Sequence, residues 1–404
     1  MTKASSSASP PKSLSERRNE AFSGTLACAG LFAGIGGLEL GLSKAGHHTV
    51  LLCENDDAAT TVLAKRFPGI PLAADVRTMR SLPTETELVC AGFPCQNLTQ
   101  VGDKKGIAGG QSSLVEHVFR LLRKRPVQWV IIENVSFMLQ LDRGSAIKKI
   151  IESLESLGYH WAYRIVDSFC FGVPQRRRRV FIVASLEYDP RAVLLADDAG
   201  PLTSVTALLT VPLGFYWTEG NAGVGLAVDS VPPLKGGSGL GIPSAPAILF
   251  PEGLVATPHI RDAERLQGFP AGWTDPASTV ERASIRWRLI GNAVTVPVAK
   301  WLGKRLLKPG NYSGEDDPEL SARDRWPNAA WNLGDGRRVS KVSENPFANR
   351  ASLMNFLRHE GRPLSVKATD GFVRRVRNSG LRLPRGFLAA LERHASRAEH
   401  RGSL

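Results

Sequence analysis

From Leu26 to about Ser185 the chain alternates short, uninterrupted apolar runs with stretches in which apolar residues recur every three or four positions. The runs Leu26–Phe32, Thr49–Glu54, Leu88–Ala91, Trp129–Glu133 and Val180–Ala184 have the length and continuity of strands buried on both faces of a sheet. Between them, Leu38–Ala45, Leu114–Arg123 and Ser145–Leu157 have helical spacing. This alternation predicts βα units around a parallel sheet, an α/β fold. The pattern breaks near Glu187. From there to Ala256 glycine, proline and small residues dominate, as in Lys235–Pro243, and predict a loop-rich insertion. Helical spacing returns at Asp262–Leu266 and Val296–Leu307. A polar, acidic linker, Gly314–Asp317, then leads to a last segment with two apolar helical patterns, Ala351–Leu357 and Phe387–Leu391. The predicted division is a disordered Ser/Pro/Lys-rich tail (1–24), a core (25–186), an inserted domain (187–256), a return to the core (257–309) and a C-terminal module (310–404).

The 404 residues carry a formal net charge of +13. So basic a surface attracts polyanions and makes nucleic acid the first partner to expect. Residues 341–404 hold 13 Lys/Arg against 5 Asp/Glu, more than half of that excess. Within them Arg374, Arg375, Arg377, Arg382 and Arg385 lie between the two apolar patterns. This predicts a small helical unit whose basic face binds nucleic-acid phosphates without reading bases. A brace packed on the core, or a site for a protein partner, is the competing reading. Cysteines 28, 53, 90, 95 and 170 form no Cys-x-x-Cys pair and have no histidines at ligand spacing, which argues against a disulfide scaffold or zinc site and for a reducing compartment. The uncharged stretch Ala199–Thr218 contains Pro201, Pro212, Gly214 and five Ser/Thr residues, so no membrane span is expected. The first 24 residues lack the apolar core of a secretory signal, so a cytoplasmic protein is expected.

Several positions carry candidate chemistry. Cys95 stands in Gly92-Phe-Pro-Cys-Gln96, just past a predicted strand. Gly92 permits a tight bend, Pro94 fixes the backbone, and the polar, glycine-rich segment Gly102–Gly110 follows, so the thiol is a candidate nucleophile and not a core filler. Gly34, Gly36 and Gly37 lie where the first strand turns into the first helix, where backbone can approach a ligand closely. Glu39 occupies the place of the third glycine in G-x-G-x-x-G, which counts against a nicotinamide dinucleotide. Glu54 ends the second predicted strand, where a carboxylate can accept from ribose hydroxyls. Glu133 ends another and, if buried, can stay protonated and donate a hydrogen bond. In Gln175-Arg-Arg-Arg-Arg179 an extended backbone puts Gln175, Arg177 and Arg179 on one face and Arg176 and Arg178 on the other. The first face can serve a pocket while the second meets phosphate or solvent.

These residues resemble the cytosine-5 DNA methyltransferase family of bacterial type. In the family's order stand Leu31-Phe-Ala-Gly-Ile-Gly-Gly37, Glu54, Asp75-Val76, Pro94-Cys95, Glu133-Asn134-Val135, Gln175 to Arg179, Arg265-Leu-Gln-Gly-Phe-Pro270 and Gly291-Asn-Ala-Val294. The resemblance spans residues 25–307 and implies a Rossmann-like core dependent on S-adenosylmethionine. It makes 187–256 a small target-recognition domain and leaves 310–404 as a C-terminal helical extension beyond the minimal pattern. It implies that the cofactor is held by Phe32, Ala33, Gly34, Ile35, Gly36, Gly37, Glu54, Asp75, Val76, Pro94, Asn292, Ala293 and Val294. In that arrangement Asp75 bonds the adenine amine, Phe32 and Val76 flank the ring, and Pro94 and Asn292 help close the pocket.

The implied reaction is methyl transfer to carbon 5 of a flipped-out cytosine in double-stranded DNA. Cys95 adds to carbon 6, Glu133 bonds ring N3 and the exocyclic amine, Arg177 holds the base carbonyl, and Arg179 orders the Cys95 loop. Gln96, Gln175, Arg176, Arg178, Arg374, Arg375 and Arg377 are the expected DNA contacts. A monomer without metal is expected, associated with the nucleoid, with a cognate restriction endonuclease as candidate companion. The alternatives are a transfer-RNA cytosine-5 methyltransferase, the activity of one branch of the family, and a catalytically silent DNA-binding regulator. The sequence departs from the family pattern at Gln111, where an arginine is common, and at Val255-Ala-Thr257-Pro258, which lacks the arginine often found before Thr-Pro.

Overall fold

The computed structural model describes residues 24–93, 114–202, 209–236, 245–280, 282 and 284–402. Strands β1 (Ala27–Leu31), β2 (His48–Cys53), β3 (Leu72–Ala73), β4 (Leu88–Ala91) and β5 (Trp129–Val135) lie parallel in the spatial order β3-β2-β1-β4-β5. Every residue of β1 and β4 is buried, because helices cover both faces. Helices Leu114–Lys124 and Ser145–Ser156 pack on one face with Val89, Val130 and Ile132. Helices Gly37–Ser43 and Val296–Leu307 pack on the other with Cys28, Leu88 and Ile131. The last two approach closely: a Cβ on Gly41 would lie 2.4 Å from Ala299 Cβ and 2.7 Å from Val296 O, so only glycine fits the crossing.

The expected all-parallel sheet is instead mixed. β6 (His160–Asp167) and β7 (Arg178–Ser185) are antiparallel to each other, and β7 lies between β5 and β6, antiparallel to both. The short connection Ser168–Arg177 explains this: it suffices for antiparallel neighbours, whereas a parallel crossover needs a dozen or more residues.

The insertion is ordered around a small antiparallel sheet of β8 (Leu213–Phe215), β9 (Ala227–Val228), β10 (Ala247–Leu249) and β11 (Val255–Thr257). Residues 310–404 do not form a unit of their own, contrary to expectation, because their apolar residues complete both other units. β12 (Ala329–Asn332) pairs with β6, and β13 (Arg337–Val339) pairs with β12. Among the described residues, nine strands thus share the core sheet. β14 (Arg362–Pro363) then joins the edge of this smaller sheet beside β11.

Two helices follow. Val366–Ser379, capped by Ser365 Oγ at its start and left-handed Gly380 at its end, carries the apolar stripe Phe372, Val373 and Val376. Phe387–Gly402 adds Phe387 and Leu391. These side chains bury against Leu213, Phe215, Leu249 and Val255, with Phe215 centred 5.0 Å from Phe372 and 5.2 Å from Phe387. Arg374, Arg375 and Arg377 lie on the first of these helices, and Arg382 and Arg385 lie between the two.

Candidate active site

A cavity of about 560 Å³ opens at the carboxyl ends of β1, β2, β4 and β5. Phe32, Gly34, Glu54, Asp75, Val76 and Asn292 line one part, and Gly92, Glu133, Asn134, Arg177 and Arg179 line another.

The first part is shaped by the turn after β1. Phe32 itself takes φ 56°, uncommon for a residue with a side chain, and Gly34 takes φ 57°. Gly36 (φ 83°) could not carry a Cβ, which would meet the Phe67 ring at 2.3 Å. The Gly34 N–H donates to Glu54 Oε2 at 2.8 Å, and Glu54 Oε1 accepts from the backbone of Asn55 and Asp56, both at 2.9 Å. Glu54 therefore ties the glycine turn to the end of β2. Asp75 accepts from Arg77 Nε at 2.8 Å, and this neighbour holds its carboxyl below the usual range.

Other residues expected at the cofactor sit behind this wall. Ile35 is buried with Val62, Trp273 and Val296, while Gly36, Gly37, Ala293 and Val294 pack at the helix crossing or under the turn. Ala33, half-buried, donates to Cys53 O at 3.1 Å. These six shape the backbone and do not border the cavity.

At the second part the predicted alternation holds although β7 begins only at Arg178. Gln175 and Arg177 are buried, the Arg179 side chain is mostly so, and Arg176 and Arg178 face outward. Arg179 Nε lies 3.3 Å from Glu133 Oε1. Arg177 Nη2 donates to Ala293 O at 2.8 Å, while its Nε and Nη1 have no hydrogen-bond partner among the described residues. Burial raises the pKa of Glu133, opposed by Arg179 and Arg177, so its carboxyl binds a proton more readily than an exposed one. Burial, and then Arg179, push the Arg177 pKa down, opposed by Glu133. A carboxyl that takes up a proton more readily, beside a guanidinium with unspent donors, suits an amide-like, planar partner carrying acceptors. Asn134, which had no assigned role, donates from Nδ2 to Phe93 O at 3.0 Å and so fixes the chain at the residue before Pro94 in sequence. Asp167 was also missed: fully buried, it accepts from Arg177 N at 3.0 Å and Arg176 Nε at 2.6 Å.

Pro94, Cys95, Gln96 and Gln111 lie outside the described residues. Several expected DNA contacts are otherwise engaged. Gln175 is fully buried and saturated by protein partners, so it is not a DNA contact. Arg176 is paired with Asp167 and Arg178 with Glu344. Arg375 donates to Trp217 O and Glu219 O, bracing the segment after β8, and Arg377 is paired with Glu392. Arg374 is exposed. Among the described residues there is no cluster of potential metal ligands, and no helix is long and apolar enough to cross a membrane.

A family model described as C-5 cytosine-specific DNA methylase matches residues 26–199. The chain is 45% identical over 380 residues to the Type II methyltransferase M2.BsuMI of Bacillus subtilis (strain 168), covering 90% of this chain and 96% of that one. It is 27% identical over 310 residues to the Type II methyltransferase M.DsaV of Dactylococcopsis salina, covering 69% of this chain and 84% of that one. The crystal structure of S. pombe Dnmt2 methyltransferase shares the fold at a TM-score of 0.50 and 17% identity, over 70% of this chain and 98% of that one. With the glycine turn, the strand-end acids and the Glu133–Arg177–Arg179 cluster gathered around one cavity, and with likeness to M2.BsuMI along nearly its whole length, the chain belongs to the C-5 cytosine-specific DNA methylases.

Proposed function

We propose that this chain methylates carbon 5 of a cytosine flipped out of double-stranded DNA, through a covalent adduct with Cys95. The observation that carries the proposal is the continuity of the cavity: a part with Glu54 and Asp75 on glycine-turned backbone opens directly onto a part with Glu133, Arg177 and Arg179. Two carboxylates and the apolar Phe32 and Val76 fit an adenosine, whose ribose hydroxyls and exocyclic amine are donors. When bound there, S-adenosylmethionine supplies an electrophilic methyl group.

The remaining chemistry falls to side chains. Carbon 5 of cytosine is a poor nucleophile, and addition of the Cys95 thiolate to carbon 6 makes it enamine-like. Glu133, whose burial makes it take up a proton more readily, donates to ring N3 and draws charge out of the ring as the thiolate adds. Arg177 directs its unspent donors at the base carbonyl oxygen. Arg179, beside Glu133, keeps that carboxyl oriented. Loss of the carbon 5 proton then expels the thiol. A stacked base cannot reach these groups, so the base leaves the helix at a cost of a few kcal/mol. Residues 187–256, with the two C-terminal helices packed on them, supply target recognition. Duplex DNA, not transfer RNA, is the proposed substrate, supported by likeness to a Type II methyltransferase over nearly the whole chain. A restriction endonuclease of matching specificity is the proposed companion.

The test is a duplex carrying 5-fluorocytosine at the target, whose fluorine cannot leave as a proton does. Wild-type protein is expected to be trapped as a covalent complex in the presence of S-adenosylmethionine, and Cys95→Ser to form none while still binding the cofactor. Equal trapping by Cys95→Ser would reject the nucleophile, and methyl transfer to transfer RNA alone would reject the substrate.

A further inference from the structure

Behind the base pocket lies a pair of fully buried carboxamides, Gln175 and Gln267, that none of the proposed chemistry uses. Gln267 spends its whole hydrogen-bonding capacity. Its Nε2 donates to Ile290 O at 2.9 Å and Ala293 O at 3.0 Å, and its Oε1 accepts from Gln175 Nε2 at 2.9 Å and Thr295 Oγ1 at 3.0 Å. The Ala293 carbonyl is shared, because it also accepts from Arg177 Nη2 at 2.8 Å. Asn292, on the cavity wall, is the preceding residue. On the far side Gln175 Oε1 accepts from Leu234 N at 3.0 Å, and the backbone around Gln175 pairs with Val231, in the segment that leaves β9 of the recognition sheet.

We propose that Gln267 is a positioning residue for methyl transfer, holding Arg177 and the Asn292 wall in register with the recognition segment 231–234 through Gln175. The reading rests on the proposed function. Among the described residues the Arg177 guanidinium makes one hydrogen bond to the protein, at Ala293 O, while its Nε and Nη1 stay unpartnered at the cavity wall. Its aim therefore depends on where that carbonyl stands. Gln267 bridges Ala293 O and Ile290 O across the end of helix Ile285–Asn292, where a carbonyl would otherwise turn freely. A neutral amide can both donate to those carbonyls and accept from Gln175 and Thr295, which neither a carboxylate nor an apolar side chain does. Such fully satisfied buried networks specify one geometry.

The experiment uses full-length Gln267→Met, near in volume but without polar hydrogens, with steady-state methylation of a duplex and amide hydrogen exchange of residues 288–296 in the cofactor-free protein. The proposal expects kcat to fall at least tenfold, KM for DNA and the cofactor Kd to stay within threefold, and exchange of 288–296 to rise at least tenfold. Thr295→Val, which removes one donor to Gln267 and should fold readily, is expected to lower kcat about threefold with KM unchanged. A folded Gln267→Met with kcat within twofold of wild type would overturn the proposal. So would a parallel loss of kcat, KM and melting temperature, which marks general loosening. If Gln267→Met does not fold, unchanged kcat in Thr295→Val overturns it instead. Wild type inactive on every duplex would reject the proposed function, while the exchange arm would still report on the Gln267 lock.

Discussion

Phe372→Ala should disable target recognition while leaving the cofactor site intact. The ring is fully buried between the C-terminal helices and the recognition sheet, 5.0 Å from Phe215 at 36°. Truncating such a ring costs about 3–5 kcal/mol, through lost transfer energy and the cavity left behind. Of that, about 0.5–1.5 kcal/mol is the aromatic contact itself. A whole domain is stable by only about 5–15 kcal/mol, and this one rests on strands of two or three residues, so the loss should melt much of the recognition unit at 37 °C. The core sheet contributes nothing to this cluster, so the nine-stranded unit should stay folded. Limited proteolysis should cut within 209–257 and 366–402, duplex binding should weaken at least tenfold, and calorimetric affinity for S-adenosylmethionine should stay within twofold. A variant that resists protease and keeps its duplex affinity would refute this account. So would one that loses cofactor binding in proportion.

Other perturbations test other parts. Glu54→Ala should weaken S-adenosylmethionine binding by about 1–3 kcal/mol, since it removes a charged acceptor and frees the Gly34 N–H, and unchanged calorimetric affinity would remove Glu54 from the site. Gly41→Ala should destabilise the core by about 1–3 kcal/mol in denaturant titration, because its Cβ would overlap Ala299 and the Val296 carbonyl; an unchanged midpoint would deny the close crossing. Glu39 is buried with its Oε1 3.6 Å from Cys90 Sγ, and burial above all raises its pKa from the ordinary 4.5 to about 7. The folded state then keeps a proton that the unfolded chain gives up, so stability should fall by about 3 kcal/mol as pH rises through that interval. Glu39→Gln should flatten the dependence of Tm on pH between 5 and 7.5, and an unaltered slope would reject the assignment.

What was legible in the sequence had local causes. β5 shows as Val130-Ile-Ile because a strand buried on both faces needs unbroken apolar residues, and the alternation through Gln175–Arg179 follows from the two-residue period of extended chain. β6 was hidden because Arg164 interrupts it. That guanidinium is buried by virtue of carbonyls at Leu194, Asp197 and Ser343 and the carboxylate of Asp198, partners that chain-local reading cannot supply. Helix Val366–Ser379 was obscured by its arginines, although Thr369, Phe372, Val373 and Val376 already trace a helical stripe. Gln175 was mistaken for a DNA contact by its place beside four arginines, and only the return of Gln267 and Leu234 to it from far along the chain makes it a core residue.

The passage of residues 362–402 back across β11 makes the unit built on β8–β11 discontinuous in sequence. An engineer who transplanted residues 187–256 alone into a relative would carry over half of a hydrophobic core, leaving Phe215 and Leu249 without Phe372 and Phe387. If this unit reads the target as proposed, the exchangeable cassette for altered specificity is two segments, 187–256 and 362–402, moved together. Substitutions that retune which sequence is methylated can then arise in a part of the gene more than a hundred codons away from the β8–β11 strands.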